Sequence, residues 1–247
     1  MNIHVLDNAE QLGAQAAAQA AEVLREAIGR QGKARLLLST GSSQFEFFQA
    51  FIAQHMDWSK IEMFHLDEYA GLSADHPASF QAYLQERFIR QVQLGSYHLV
   101  DGTGDVSATI AALNEAIGEA PIDLAMIGIG ENAHIAFNDP PADFDTEEPY
   151  ILVALDEACK RQQVGEGWFA GLEDVPTHAI TMSVRQILKS RVILSCVPHA
   201  VKAEAVKRTL ERDITPEVPS TMLRTHPNWT LYLDRASAAL AGLTVKE

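Results

Sequence analysis

The chain has 247 residues, 47% hydrophobic and 21% charged, with 19 Lys and Arg against 33 Asp and Glu for a net charge of −14. This is a globular composition with enough chain to bury a core, and it excludes long disorder, collagen-like repeats and coiled coils. The negative excess repels nucleic-acid backbones, but a small anionic ligand stays compatible, because local donors outweigh the mean field within a Debye length of about 8 Å.

The opening Met1-Asn2-Ile3-His4-Val5-Leu6-Asp7 has neither the basic start nor the apolar stretch of a signal peptide. Residues 8–30 are rich in Ala, Glu, Gln and Leu and predict a helix stopped by Gly32. Residues 35–39 predict a buried strand. Residues 43–55 predict a helix with Phe45, Phe48, Phe51 and Ile52 on one face. A strand over 61–66 and a helix over 79–92 follow, then a short strand over 97–100 and a helix over 106–120. The clearest buried strand is Ile122-Asp123-Leu124-Ala125-Met126-Ile127-Gly128. Further strands are predicted over 150–155, 179–182, 192–197 and 229–233, with helices over 183–189, 199–212 and 236–241.

Apolar strands alternating with helices imply an α/β fold, a mostly parallel sheet with helices on both faces. No repeat or Pro/Gly-rich linker divides the chain, so residues 1–247 read as one domain. Cys159 and Cys196 lie far apart with no Cys-x-x-Cys pair, which excludes a disulfide framework or a zinc ribbon. No stretch of about 18 apolar residues is present to span a membrane. The expectation is a cytoplasmic protein with no metal and no membrane or nucleic-acid partner.

Ligands of such sheets sit beyond the carboxyl ends of the strands, and three strand ends carry unusual polar residues. Ser39-Thr40-Gly41-Ser42-Ser43 offers small residues, hydroxyls and a helix start, which suits a phosphate but also reads as a simple helix cap. His65-Leu66-Asp67-Glu68-Tyr69 sets two carboxylates at the end of an apolar strand, where one can act as a general base and one can cap the next helix. Gly128-Ile129-Gly130-Glu131-Asn132-Ala133-His134 follows the best strand. It lacks the third glycine of a dinucleotide fingerprint, and His134 between Glu131 and Asp139 suits acid–base chemistry.

Three stretches together resemble the glucosamine-6-phosphate deaminase family (glucosamine/galactosamine-6-phosphate isomerases, related to 6-phosphogluconolactonases). They are Thr40-Gly41-Ser42-Ser43, then Leu66-Asp67-Glu68-Tyr69 with His76-Pro77-x-Ser79-Phe80, then Gly128-x-Gly130-x3-His134-Ile135-Ala136-Phe137-Asn138-Asp139-Pro140. The likeness continues through Val201-Lys202-Ala203 and Pro219-Ser220-Thr221-Met222-Leu223. It implies a single-domain modified Rossmann-like fold and a cofactor-free conversion of glucosamine 6-phosphate and water to fructose 6-phosphate and ammonia. It further implies Asp67 as the base at C2, His134 as the ring-opening group, and Asn132 and Asp139 as its neighbours. Gly41, Ser42, Ser43 and Lys202 match the phosphate-binding positions. Family members include hexamers, so a homo-oligomer is among the expectations, although no allosteric motif is matched.

The chain departs from the family in three places. Asn132 stands where many members carry Asp, Asp139 stands where Glu is frequent, and the phosphate-binding arginine has no direct match. Glu131 is then the candidate for the charge missing at Asn132, and Arg161 or Lys160 for that of the arginine. A 6-phosphogluconolactonase-type hydrolase and a non-catalytic sugar-phosphate sensor are the competing readings.

Overall fold

The computed structural model describes residues 1–245. The chain begins with β1 (Asn2–Leu6), α1 (Ala9–Gln31), β2 (Ala34–Leu38), α2 (Phe45–Ile52), β3 (Ile61–His65) and β4 (Asp67–Tyr69). It continues with α3 (Phe80–Leu84), β5 (Ser96–His98), α4 (Val106–Gly118), β6 (Leu124–Met126), β7 (Tyr150–Ala154) and α5 (Glu157–Gly165). The last elements are β8 (His178–Met182), α6 (Val184–Leu188), β9 (Val192–Val197), α7 (Ala203–Glu211), β10 (Trp229–Asp234) and α8 (Arg235–Ala238).

Seven strands pair in parallel in the order β1-β10-β9-β6-β2-β3-β5. Both faces of this sheet are covered, which is why its central strands read as mainly apolar runs. Alternation within β2 shows the two layers. Leu36 and Leu38 pack with Leu24 of α1 and Phe47 and Phe51 of α2, whereas Leu37 packs with Leu113 and Ile117 of α4 and Val206 of α7. Asn8 caps α1 by accepting from the Gln11 amide, and Gly32 closes it at φ 79°, a left-handed stop that glycine adopts freely.

The three strands that carry the polar loops, β6, β2 and β3, are adjacent in the sheet. Their carboxyl ends therefore open at one edge, and β9, which leads toward Lys202, borders β6.

Several expected elements differ in detail. The helix expected over 79–92 is one α turn followed by a wider π-helical turn over Gln85–Ile89. Phe47, and not Phe45, joins Phe48 and Phe51 inside the core, and Phe45 takes the Arg87 guanidinium over its ring. Residues 199–202 form a tight turn before α7 begins at Ala203.

A second, antiparallel sheet, β4-β8-β7, lies outside the sequence expectation. It matters because it carries Asp67. A small cluster of Tyr69, Phe137, Cys159, Phe169 and Ala179 packs beneath it.

Candidate active site

The loop ends meet around a cavity lined by residues from 39–43, Asp67, Phe80, 128–130, His134, Phe137, 162–163, Glu166, Trp168 and Lys202.

Asp67 and Glu68 are neighbours with different tasks. Successive strand residues face opposite sides, and in β4 this separates the two carboxylates. Glu68 accepts from the Tyr69 amide at 2.9 Å, the Ser79 hydroxyl at 2.8 Å and the Gln81 amide at 2.7 Å, so it holds the first turn of α3. Asp67 lines the cavity, 5% exposed, and has no hydrogen-bond partner among the described residues. Burial pushes its carboxyl well above the usual carboxylate range, and the Glu68 charge adds to the push. A buried, unpaired, basic carboxylate open to a cavity fits a general base. His65, two residues earlier, instead enters the core, where burial lowers it to about 3 and keeps it neutral.

His134 stands on a loop held from several sides. Its amide donates to Asn132 Oδ1 at 3.0 Å, the Gly130 amide donates to its carbonyl at 2.9 Å, and the Ser220 amide donates to the Ala133 carbonyl at 3.0 Å. Ala133 and Ala136 take positive φ values of 72° and 53°, a strain that these contacts sustain. Asn138 donates to the Ile135 and Met182 carbonyls, both at 2.9 Å, and the Phe137 amide donates to Thr181 Oγ1 at 3.0 Å. Thr181 pairs in register with Asp67. The second sheet thus fixes the histidine loop relative to the carboxylate.

His134 Nδ1 lies 3.2 Å from Asp139 Oδ1, a close contact without hydrogen-bond alignment. Burial alone would raise the Asp139 carboxyl. The contacts from His134, Asn132 and the Asp156 amide outweigh burial and hold it below the ordinary range. Ligand-capable atoms of His134, Asp139 and Cys159 fall within 4.8 Å of one another. Gly130 lies directly beneath the imidazole. A Cβ there would sit 2.2–2.5 Å from three ring atoms, so only glycine leaves room for the ring in this position.

Asn132 makes no hydrogen bond to the imidazole ring among the described residues. Its carbonyl oxygen holds the His134 backbone, and its amide donates to Asp139 at 3.4 Å, so it bridges the two partners. The shorter Asp139 reaches the ring region directly.

At the other end of the cavity, Gly41 adopts φ 111°, a conformation suited to glycine, and turns the chain so that Ser42 and Ser43 face the cavity. The buried Gln44 ties this turn to the Cys196 carbonyl at 3.1 Å. Lys202, 6% exposed, comes from the turn after β9, where His199 holds φ 78° and its amide donates to Asp234 at 2.9 Å. Burial lowers the Lys202 ammonium, and the charges of Glu166 and Glu131 oppose that shift. Glu131 and Arg161 line an outer, adjoining cleft that also borders Ser42, Ser43 and Lys202. Arg161 is exposed there and paired with Glu157 at 2.6 Å.

The sequence reached residues 160–169 only as a loose match to the family's phosphate-binding arginine region and gave no role to Gln162, Glu166 or Trp168, nor to Cys159 or Thr181. The polar α5 segment carries no local chemical signature, and its place at the cavity is a tertiary fact. Gly130 was visible as half of a Gly-x-Gly pair, but its role under the ring was not.

A doubly covered parallel sheet thus brings a carboxylate, a His–Asp pair and a Gly-Ser-Ser turn together at the ends of adjacent strands. The chain belongs to the family of glucosamine-6-phosphate isomerases and 6-phosphogluconolactonases, whose family model matches residues 7–232. It is 35% identical over 243 residues to a glucosamine-6-phosphate deaminase of Lactobacillus delbrueckii subsp. bulgaricus, covering 97% of this chain and 99% of that one. A glucosamine-6-phosphate deaminase of Streptococcus pneumoniae is 34% identical over 220 residues, covering 89% of this chain and 92% of the relative. Among solved structures, a monomeric glucosamine-6-phosphate deaminase superposes with TM-score 0.88 at 30% identity, over 97% of this chain and 100% of that one. A 6-phosphogluconolactonase from Shewanella baltica, 21% identical with TM-score 0.77 over 95% of this chain and 97% of that one, shares the fold. No helix of the described residues is long and apolar enough to cross a membrane.

Proposed function

We propose that this chain converts glucosamine 6-phosphate and water to fructose 6-phosphate and ammonia, with no cofactor in the reaction. The observation that carries the reading is the meeting, around one cavity, of an unpaired buried Asp67, the His134–Asp139 pair and the Ser42/Ser43/Lys202 end. Family membership and the deaminase relatives support it.

The chemistry follows from that placement. The pyranose opens when a proton leaves O1 and reaches O5, a transfer suited to an imidazole that a carboxylate orients. His134 performs it, and Asp139 stabilises its charged form. In the open aldehyde, Asp67 takes the C2 proton and returns it at C1. The 2-amino aldehyde becomes a 2-imino alcohol, which adds water at C2 and loses ammonia. Burial makes Asp67 a stronger base than a solvated carboxylate, which favours removal of a C–H proton. The Ser42 and Ser43 hydroxyls and the Lys202 ammonium hold the phosphate, with Gly41 shaping the turn. Arg161 reaches it from the outer cleft by leaving Glu157, and Glu131 borders the same cleft.

The deciding experiment incubates the purified protein with glucosamine 6-phosphate and measures fructose 6-phosphate and ammonia, with 6-phosphogluconolactone hydrolysis assayed in parallel. Stoichiometric release of both products supports the reading. Lactone hydrolysis without ammonia release assigns the chain to the hydrolase chemistry of its family, and binding without turnover makes it a sensor.

A further inference from the structure

The phosphate end of the cavity contains a carboxylate. Glu166 follows the last turn of α5, and its Oε2 accepts from Ser42 Oγ at 3.4 Å and from the Trp168 indole at 3.1 Å, while Oε1 accepts from Gln162 Nε2 at 2.7 Å. Ser42 is a hydroxyl that the phosphate needs. Lys202 is the one Lys or Arg lining this cavity and has no ion-pair partner among the described residues. A phosphate ester carries about −1.5 to −2 charges at pH 7. It cannot share the Ser42 hydroxyl and the Lys202 field with a carboxylate without strong repulsion.

We propose that Glu166 is an internal competitor for the phosphate subsite: its carboxylate occupies the Ser42 end in the free protein, and a sugar phosphate enters by displacing it. This rests on the proposed placement of the phosphate at Ser42, Ser43 and Lys202.

The local chain allows the displacement. Glu166 lies between Gly165 and Gly167, and Gly167 already holds φ 81°, so the segment turns without side-chain obstruction. Glu166 is only half-buried, and a rotation about its own side chain carries the charge to solvent. Its departure frees the Trp168 and Gln162 donors, which line the same cavity and become available to the incoming anion. The exchange replaces one carboxylate by a more highly charged group on the same donors. Ligands with a full phosphate charge therefore displace Glu166, and neutral sugars do not. The site gains selectivity for phosphorylated sugars and gives up part of its affinity.

The test titrates wild type, Glu166→Gln and Glu166→Ala with inorganic phosphate by calorimetry. Phosphate should bind roughly 10-fold tighter to both variants at low salt, the equivalent of removing one opposing charge at the protein surface. The gain should shrink as ionic strength rises. The KM for glucosamine 6-phosphate should fall in parallel. Equal or weaker phosphate binding in the variants, including no detectable binding in any of the three proteins, overturns the inference; weaker binding would show that Glu166 supports the subsite. If wild type releases no ammonia from glucosamine 6-phosphate but both variants gain phosphate affinity, the proposed reaction fails and the competition stands. If turnover occurs without that gain, only the competition fails.

Discussion

Gly130→Ala puts a methyl group beneath the His134 ring. The new Cβ would lie 2.2 Å from Cε1, 2.3 Å from Nε2 and 2.5 Å from Nδ1, where ordinary contact begins at 3.4 Å. The ring must retreat by about 1 Å or swing to another rotamer, and misplacement of that order costs about 100-fold in rate. The retreat also disturbs the 3.2 Å contact between Nδ1 and Asp139. We therefore expect kcat/KM for product release to fall about 100-fold, close to 2.7 kcal/mol of lost transition-state stabilisation. If the ring stays in place under compression, folding stability should also drop by roughly 1–3 kcal/mol. If the ring swings out, the Tm stays near wild type while activity is lost. Gly128→Ala is the matched comparison, since its Cβ meets only Gln44 Nε2 at 3.5 Å and Ser39 Oγ at 4.0 Å, so its loss should be much smaller. Steady-state kinetics with calorimetry on both variants decides the matter. A Gly130→Ala protein that keeps kcat/KM within about threefold of wild type would refute the proposed dependence of turnover on the ring's place over this glycine.

Asp67→Asn should reduce kcat by about 10²–10⁴ while phosphate still binds, measured by turnover and calorimetry. The same variant tests the electrostatics. Because the folded Asp67 carboxyl sits above its unfolded value, its contribution is fully present below the ordinary carboxyl range and is lost as pH rises through the folded value. The Tm of Asp67→Asn should thus match wild type at low pH and exceed it increasingly toward neutrality; a gap that does not widen with pH contradicts the buried charge. Asp139 has the opposite sign. Its folded value is depressed, so wild type should be more stable than Asp139→Asn near neutral pH and lose that advantage as pH falls through the folded value, as read by Tm across the acid range. Lys202→Met should raise KM for the sugar phosphate roughly 10- to 100-fold with a smaller effect on kcat, and an unchanged KM would remove Lys202 from the ground-state phosphate site.

The mainly apolar runs of β2, β3, β6 and β9 made the covered parallel sheet legible, because a strand buried on both faces is apolar at most of its positions. The polar residues that interrupt those runs at their ends stood out for the same reason, and Asp67, His134, Ser42 and Lys202 do line one cavity. Other features carried weaker local signals. β1, at the sheet edge, buries only Val5 of its five residues, and α5 buries only Cys159 and Gln163, so neither shows a strong pattern. The division of labour between Asp67 and Glu68 is absent from the sequence, since both are carboxylates in one short run. It arises when β4 pairs with β8 and turns adjacent residues to opposite sides, one onto the α3 amides and one into the cavity. Glu166 is the clearest case of tertiary decision. Residue periodicity reports how a segment buries itself, whereas the contact between Glu166 and Ser42 joins residues 124 positions apart and exists only because the chain end of α5 folds over the first strand-end turn.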